Sequence, residues 1–299
     1  MQLDIFNDSR DVMLCNDVLQ ALQSQDADKA SLALLTFQRE YPEDDTITPL
    51  QMLLTALATR QQAAVPPPQL VHHTALRLER LNLLEVVTPA AHGLMGPATA
   101  KPWLRPFWQD LISRAASLPF RPEFEADHVA PMWLALLDWS GAAQAVAQIA
   151  SWRRIPAPLA WMAQARLHDL GLDATWPLLA ELAWLSPKRL DALVQQSNHV
   201  VLQRLKDQFD ACFEPDPDSN DATEDVAWFP AWVLTQRPQE VAHLSQAQPG
   251  QHSAPEQAMR VLVNLLGLER QGRHHDIVAQ RKSLRGLNAW LYAQYMQTR

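Results

Sequence analysis

Cysteine is almost missing from this chain: Cys15 and Cys212 are the only two in 299 residues. With no spacing partner, they exclude a disulfide framework and a thiolate zinc centre, and they fit a reducing compartment. Glycine is scarce as well, with eight residues. Neither G-x-x-x-x-G-K-[ST] nor G-x-G-x-x-G occurs, so the usual backbone cradles for nucleotide phosphates are lacking. The nucleophile elbow G-x-S-x-G is absent too. No apolar run approaches the ~20 residues of a membrane span. The start, MQLDIFNDSRD, has neither the basic residues nor the apolar stretch of a secretory signal. Cytoplasmic location without membrane contact is the resulting expectation.

Charge is present but unevenly placed. The formal net charge is −8. Between Asp207 and Gln236 stand eight acids (Asp207, Asp210, Glu214, Asp216, Asp218, Asp221, Glu224, Asp225) and no Lys or Arg, so the rest of the chain is balanced. From Gln257 to Arg299 there are seven bases against two acids. Indiscriminate nucleic-acid binding is therefore not expected; the C-terminal bases leave room for one basic face, with solvated helix surfaces as the favoured reading.

What the chain has in quantity is tryptophan. Six of its eleven lie between Trp133 and Trp184, interleaved with Ala and Leu, a pattern for small residues packed against large rings. This stretch reads as short helices over Pro131–Trp139, Ala142–Arg153, Leu159–Leu170 and Ala174–Leu185, with breaks at Ser140-Gly141, Ile155-Pro156 and Leu170-Gly171. Upstream, helices are expected to Gln23, from Ala27 to Glu40, from Thr48-Pro49, and after Pro66-Pro67-Pro68 to Leu84. Thr88-Pro89, Gly93 and Gly96-Pro97 mark residues 85–100 as a long loop, the expected boundary if the chain has two lobes. Downstream, Ser186-Pro187 opens one long helix to Phe213, and Ser253-Ala254-Pro255-Glu256 is a capping box. No segment shows strand-like alternation. The expectation is an all-α fold of helical hairpins stacked as an irregular solenoid or bundle. Its organisation is an extended segment over 1–8, hairpins over 9–84, the loop over 85–100, the tryptophan-rich region over 101–213, an acidic loop over 214–225 and helices over 226–299.

Chemistry-bearing residues are few. His72-His73 and His274-His275-Asp276 are adjacent pairs, and neighbours on a helix point about 100° apart. None of the ten histidines has the i, i+4 partner of a helical zinc pair. Asp216, Asp218 and Asn220 match the first ligands of a calcium loop, but Asp221 replaces its glycine and Ala227 its final Glu. No metal and no cofactor is expected. Asp127-His128 and His168-Asp169 are the candidate general bases if the chain is an enzyme.

Two resemblances suggest a role. Residues 14–42 resemble a degenerate tetratricopeptide repeat, with Ala30 at the small position of the second helix and Pro42 at the terminal proline; Gln271-Gly272 resembles the turn inside such a repeat. No period of 34 recurs. The resemblance implies stacked hairpins with a concave groove and a scaffold that binds another protein, with Trp152 and Trp161 as anchors. Gln2, Leu3, Asp4, Ile5 and Phe6 resemble the Gln-Leu-(Ser/Asp)-Leu-Phe pentapeptide by which bacterial replication and repair proteins bind the sliding clamp. That resemblance implies an accessory factor of DNA replication or repair, with Arg281, Lys282 and Arg285 as its expected nucleic-acid contacts.

Overall fold

The computed structural model describes residues 10–63, 73–213, 224–250, 252–272 and 274–298. Among them there is no strand: the chain is all-α. No helix among the described residues is long and apolar enough to cross a membrane. The chain divides into two compact units, Met1–Met132 and Trp133–Arg299.

The first unit holds α1 (Arg10–Gln23), α2 (Ala27–Glu40), α3 (Ile47–Ala63), α4 (His73–Asn82) and α5 (Thr88–Ala115). Helix α2 starts where the Asp26 carboxylate accepts the Lys29 N–H, and its buried stripe is Ala30, Leu34 and Phe37. These residues pack with Val18 and Leu22 of α1 and with Leu50, Leu53 and Leu57 of α3, all buried. Trp103 closes this core by donating its indole N–H to the Leu22 carbonyl at 2.8 Å.

Residues 85–100 are not a loop. A π-helical turn over Leu83–Val87 runs directly into α5. The turn signals there mark a kink: of the residues in α5, Gly96 alone leaves helical geometry, at φ 74 and ψ 158. Pro89 falls in the first turn, where no N–H is needed. The buried Val87, Ala91, Ala100, Trp103, Leu104 and Phe107 hold the segment to the core.

The division between the units falls inside α6 (Val129–Ala135), well downstream of that segment. The second unit continues with α7 (Trp139–Ala147), α8 (Pro156–Leu170), α9 (Leu172–Leu185), α10 (Pro187–Gln196) and α11 (Val200–Cys212). It ends with α12 (Phe229–Gln236), α13 (Val241–Leu244), α14 (Ala254–Gln271), α15 (His274–Leu287) and α16 (Ala289–Gln297). Helix α9 is its centre. Eleven of its fourteen residues are buried, and α8, α10, α12 and α13 pack against it. Trp176 from α9 meets Phe229, which in turn contacts Phe209 and Trp232.

Two breaks differ from the sequence reading. The long helix from Ser186 is divided at Ser197-Asn198: Asn198 turns left-handed at φ 51, and the His199 ring accepts the Leu202 N–H to start α11. The break expected at Ser140-Gly141 lies earlier, at Leu137-Asp138. Leu137 is left-handed at φ 59, and Asp138 caps α7 by accepting the Gly141 N–H at 2.8 Å.

Gly141 therefore sits inside a helix, against a ring. A Cβ there would lie 2.9 Å from Trp133 Cδ2 and 3.1 Å from the capping Asp138 oxygen. Gly267, within α14, has nothing within 4 Å of such a Cβ. Helix propensity alone favours alanine over glycine by about 1 kcal/mol at either site, whereas overpacking costs about 1–3 kcal/mol. Gly267→Ala is expected to stabilise the protein and Gly141→Ala to destabilise it by about 1 kcal/mol or more. Urea unfolding checks the pair, and a raised midpoint for Gly141→Ala contradicts the steric argument.

Candidate functional site

None of the eleven tryptophans is fully exposed. Trp161 lies half-buried with Trp133 and Trp139 against a small core of Leu134, Ala142 and Ala165, so it serves packing there. Trp152 is also half-buried, but its neighbourhood is different. It opens a short 3-10 turn, Trp152–Arg154, between α7 and α8. The Arg153 guanidinium lies 5.2 Å from its ring centroid.

Arg153 and Arg154 line a cleft of about 200 Å³ with Glu181, Trp184, Leu185, Gln248, Pro249 and Gly250. Three stretches of chain line it. Helix α9 supplies Glu181 and Trp184 from its last turns. The Glu181 carboxylate accepts the Gln248 N–H at 2.8 Å and lies 3.4 Å from Arg153 Nε. Burial raises its pKa, outweighing the Gln248 N–H and the positive charges of Arg153, Arg154 and Arg260. On the other wall, Glu256 accepts the N–H groups of Gly250 and His252 and both donors of Arg260. Burial opposes its charged form, but those bonds prevail and hold its pKa below the ordinary value. The capping box expected at Ser253–Glu256 does not close, because Ser253 makes no capping bond. Its Glu folds back on the preceding loop, which shapes the cleft.

Two buried donors at this cleft make no hydrogen bond: Arg153 Nε, which faces Glu181 as an ion pair, and the indole N–H of Trp184. Arg260 covers the Trp184 ring at 5.8 Å, and Arg154 is exposed. Trp176 has the same unpaired indole, but it lies wholly inside the core where no ligand reaches. The cleft thus presents a surplus of N–H groups and positive charge beside an aromatic wall. It is smaller than the roughly 300 Å³ at which drug-sized pockets begin, so it suits a single side chain or chain end.

Comparison with known proteins gives no family: no protein-family description, curated protein or solved structure matches this chain.

The other sequence candidates fall elsewhere. Gln2, Leu3, Asp4, Ile5 and Phe6 lie outside the described residues, as does the Asp216–Asp221 stretch. Of the basic trio on α15, Lys282 and Arg285 are exposed. Arg281 is engaged: it donates to the Tyr295 hydroxyl and to Glu269 and lies over the Tyr295 ring. His168 is exposed and stacked on Trp139 at 4.2 Å. Sequence reasoning missed Glu181, Trp184, Gly250, Glu256 and Arg260, since their proximity is purely tertiary.

In the first unit, folding does gather His73 and Asp127. The Asp127 carboxylate, 2% exposed, faces Arg80 Nε at 3.6 Å and His73 Nδ1 at 4.0 Å. His73 stacks on Phe124. Neighbouring His128 turns the other way. Its Nδ1 accepts the Ala130 N–H that starts α6, at 3.2 Å, and burial lowers its pKa to about 4.

That depression has a definite sign. Between about pH 6.5 and pH 4 the unfolded chain binds a proton at His128 that the folded chain refuses. Stability is therefore present above the unfolded pKa and lost as pH falls through this window. The full shift corresponds to about 3 kcal/mol. Solvent reaches part of the ring, so about 1–2 kcal/mol is expected. His128→Asn keeps an acceptor for Ala130 without the titration. Its loss of urea stability from pH 7 to pH 4.5 should be smaller than that of the parent by about this amount. Equal losses would assign the acid sensitivity to other groups.

Proposed function

We propose that the second unit is a protein-recognition module whose cleft takes a carboxylate from a partner protein, either an acidic side chain or a chain terminus. The observation that carries this reading is the unpaired indole N–H of Trp184 and an Arg153 Nε that makes no hydrogen bond, beside the exposed guanidinium of Arg154. A carboxylate supplies acceptors in the plane that arginine matches, and the desolvated site strengthens each bond. The apolar face of Trp184 and the stem of Leu185 accommodate the methylenes that carry the acid. Trp152 anchors the arrangement from behind by stacking under Arg153, which refines its role as a partner-binding residue.

The test is a fluorescence titration with short peptides carrying either two glutamates and a free C-terminus or two glutamines and an amide. The acidic peptide is expected to bind and to weaken as salt is raised. Arg154→Ala should reduce its affinity by about tenfold, as loss of a charged hydrogen-bond donor does, while the urea midpoint stays within about 0.5 kcal/mol of the parent's. Equal binding of the two peptides, or full affinity in Arg154→Ala, removes the basis of the proposal.

A further inference from the structure

A second group of donors lies in the same unit, at the other end of α9. Asp173 stands in the first turn of α9, Glu240 ends the 3-10 turn Pro238–Glu240, and His243 follows on α13. One ligand atom from each lies within 4.8 Å of the others. Glu240 and His243 are spaced i, i+3, which puts both side chains on one face of a helical turn. Helical bundles use this Glu-x-x-His spacing to build metal centres. This spacing differs from the His-to-His i, i+4 of a helical zinc pair.

Glu240 supplies an independent reason to look for a cation. Its side chain is 7% exposed, it accepts no hydrogen bond, and its ion partner is Arg237 at 3.7 Å. A buried carboxylate without hydrogen bonds is costly unless a positive charge meets it. Arg237 supplies one positive charge at 3.7 Å, and Asp173 brings a second carboxylate to the same locality, which leaves negative charge in excess.

We propose that Asp173, Glu240 and His243 bind a first-row divalent cation of the Zn²⁺ class. One imidazole nitrogen with two carboxylates suits such an ion. Calcium prefers six to eight oxygens and magnesium an octahedral oxygen shell with several waters, so neither fits this donor set as well. Tetrahedral ligands at about 2.0–2.2 Å from zinc stand about 3.4 Å apart. The three donors must therefore close by roughly 1 Å, and exposed Asp173, at a helix start, is the one with freedom to move. Three protein ligands leave a fourth position for water. Arg237 competes with the ion for Glu240. The proposal is independent of the carboxylate cleft, with which it shares no residue.

Isothermal titration of the full, tag-free chain with ZnCl₂ after chelation tests it. One equivalent is expected to bind, with Mg²⁺ and Ca²⁺ failing to compete. His243→Ala and Glu240→Gln should each weaken the affinity by at least about tenfold. Arg237→Gln should tighten it several-fold by removing a positive charge, an effect that a purely structural Arg237 does not produce. Circular dichroism in chelator confirms that each variant is folded; if His243→Ala is not, the other two still decide. Co²⁺ in place of Zn²⁺ should give visible absorption of low-symmetry coordination that His243→Ala abolishes. Absence of saturable binding overturns the proposal. So does wild-type affinity in His243→Ala or Glu240→Gln, since another site, such as His274-His275, then holds the ion.

Discussion

The constraint on which the second unit depends is that α9, from Thr175 to Trp184, has no side left for water. A helix that faces solvent needs only an apolar stripe. In α9, Leu172, Trp176, Leu178, Leu179, Leu182 and Ala183 point in every direction and are all buried. Neighbours must therefore surround it, which α8, α10, α12 and α13 do. Glu181 lies within this apolar sequence and cannot be turned outward. An ionised carboxylate at that depth requires compensation, and it draws Arg153 from one side and the Gln248 N–H from the other. The cleft is thus a consequence of burying one acid: the groups that compensate Glu181 are the groups that line the opening.

Helix α9 also fixes the spacing between the two candidate sites. Asp173 belongs to its first turn and Trp184 to its last, and eleven residues of helix span about 16 Å. Pro177 stands between them and has no N–H to offer the Asp173 carbonyl four residues earlier. Thr175 donates its hydroxyl back to the Gly171 carbonyl at 2.8 Å, and no side chain caps the first N–H groups of the helix. The start of α9 is accordingly its least constrained part, which is where the movable ligand Asp173 sits.

Much of the fold was legible because its signals are local. The apolar period of α1, the Asp26 cap of α2 and the run Ala174–Leu185 each announce a helix within a few residues. Misreadings arose where a local signal had two structural outcomes. Gly96-Pro97 breaks a helix, but whether a loop or a kink follows depends on the buried residues at either side, Ala91 and Ala100. Ser140-Gly141 has the composition of a turn, yet Gly141 is required by the Trp133 ring packed against it. Conversely, Ser197-Asn198 interrupts an apolar stripe that looks continuous, because Asn tolerates the left-handed conformation. The cleft was legible only as Trp152-Arg153-Arg154. Its other wall comes from a loop almost a hundred residues later, and the capping-box pattern at Ser253 concealed the acid that shapes that loop.

The kind of polar group left unpaired decides what each locality can receive. At the cleft the surplus is the Trp184 N–H and the exposed guanidinium of Arg154, beside the Arg153–Glu181 pair, so an acceptor is wanted and an anion satisfies it. At Glu240 the one positive charge, Arg237 at 3.7 Å, meets two carboxylates, because Asp173 shares the locality, so a cation is wanted. The group in the first unit has both kinds. Asp127 offers two oxygens, while Arg80 and His73 offer ring and guanidinium nitrogens, none of them hydrogen-bonded. There the charges face one another at 3.6 and 4.0 Å and largely cancel. Coulomb attraction at such separations is close to its contact value, since it falls only as the inverse of distance. The directional part of a hydrogen bond, by contrast, is lost beyond about 3.5 Å. Asp127 thereby joins the Pro122–Asp127 turn to α4 without demanding a ligand, and a gathered acid and histidine on their own do not make an active site.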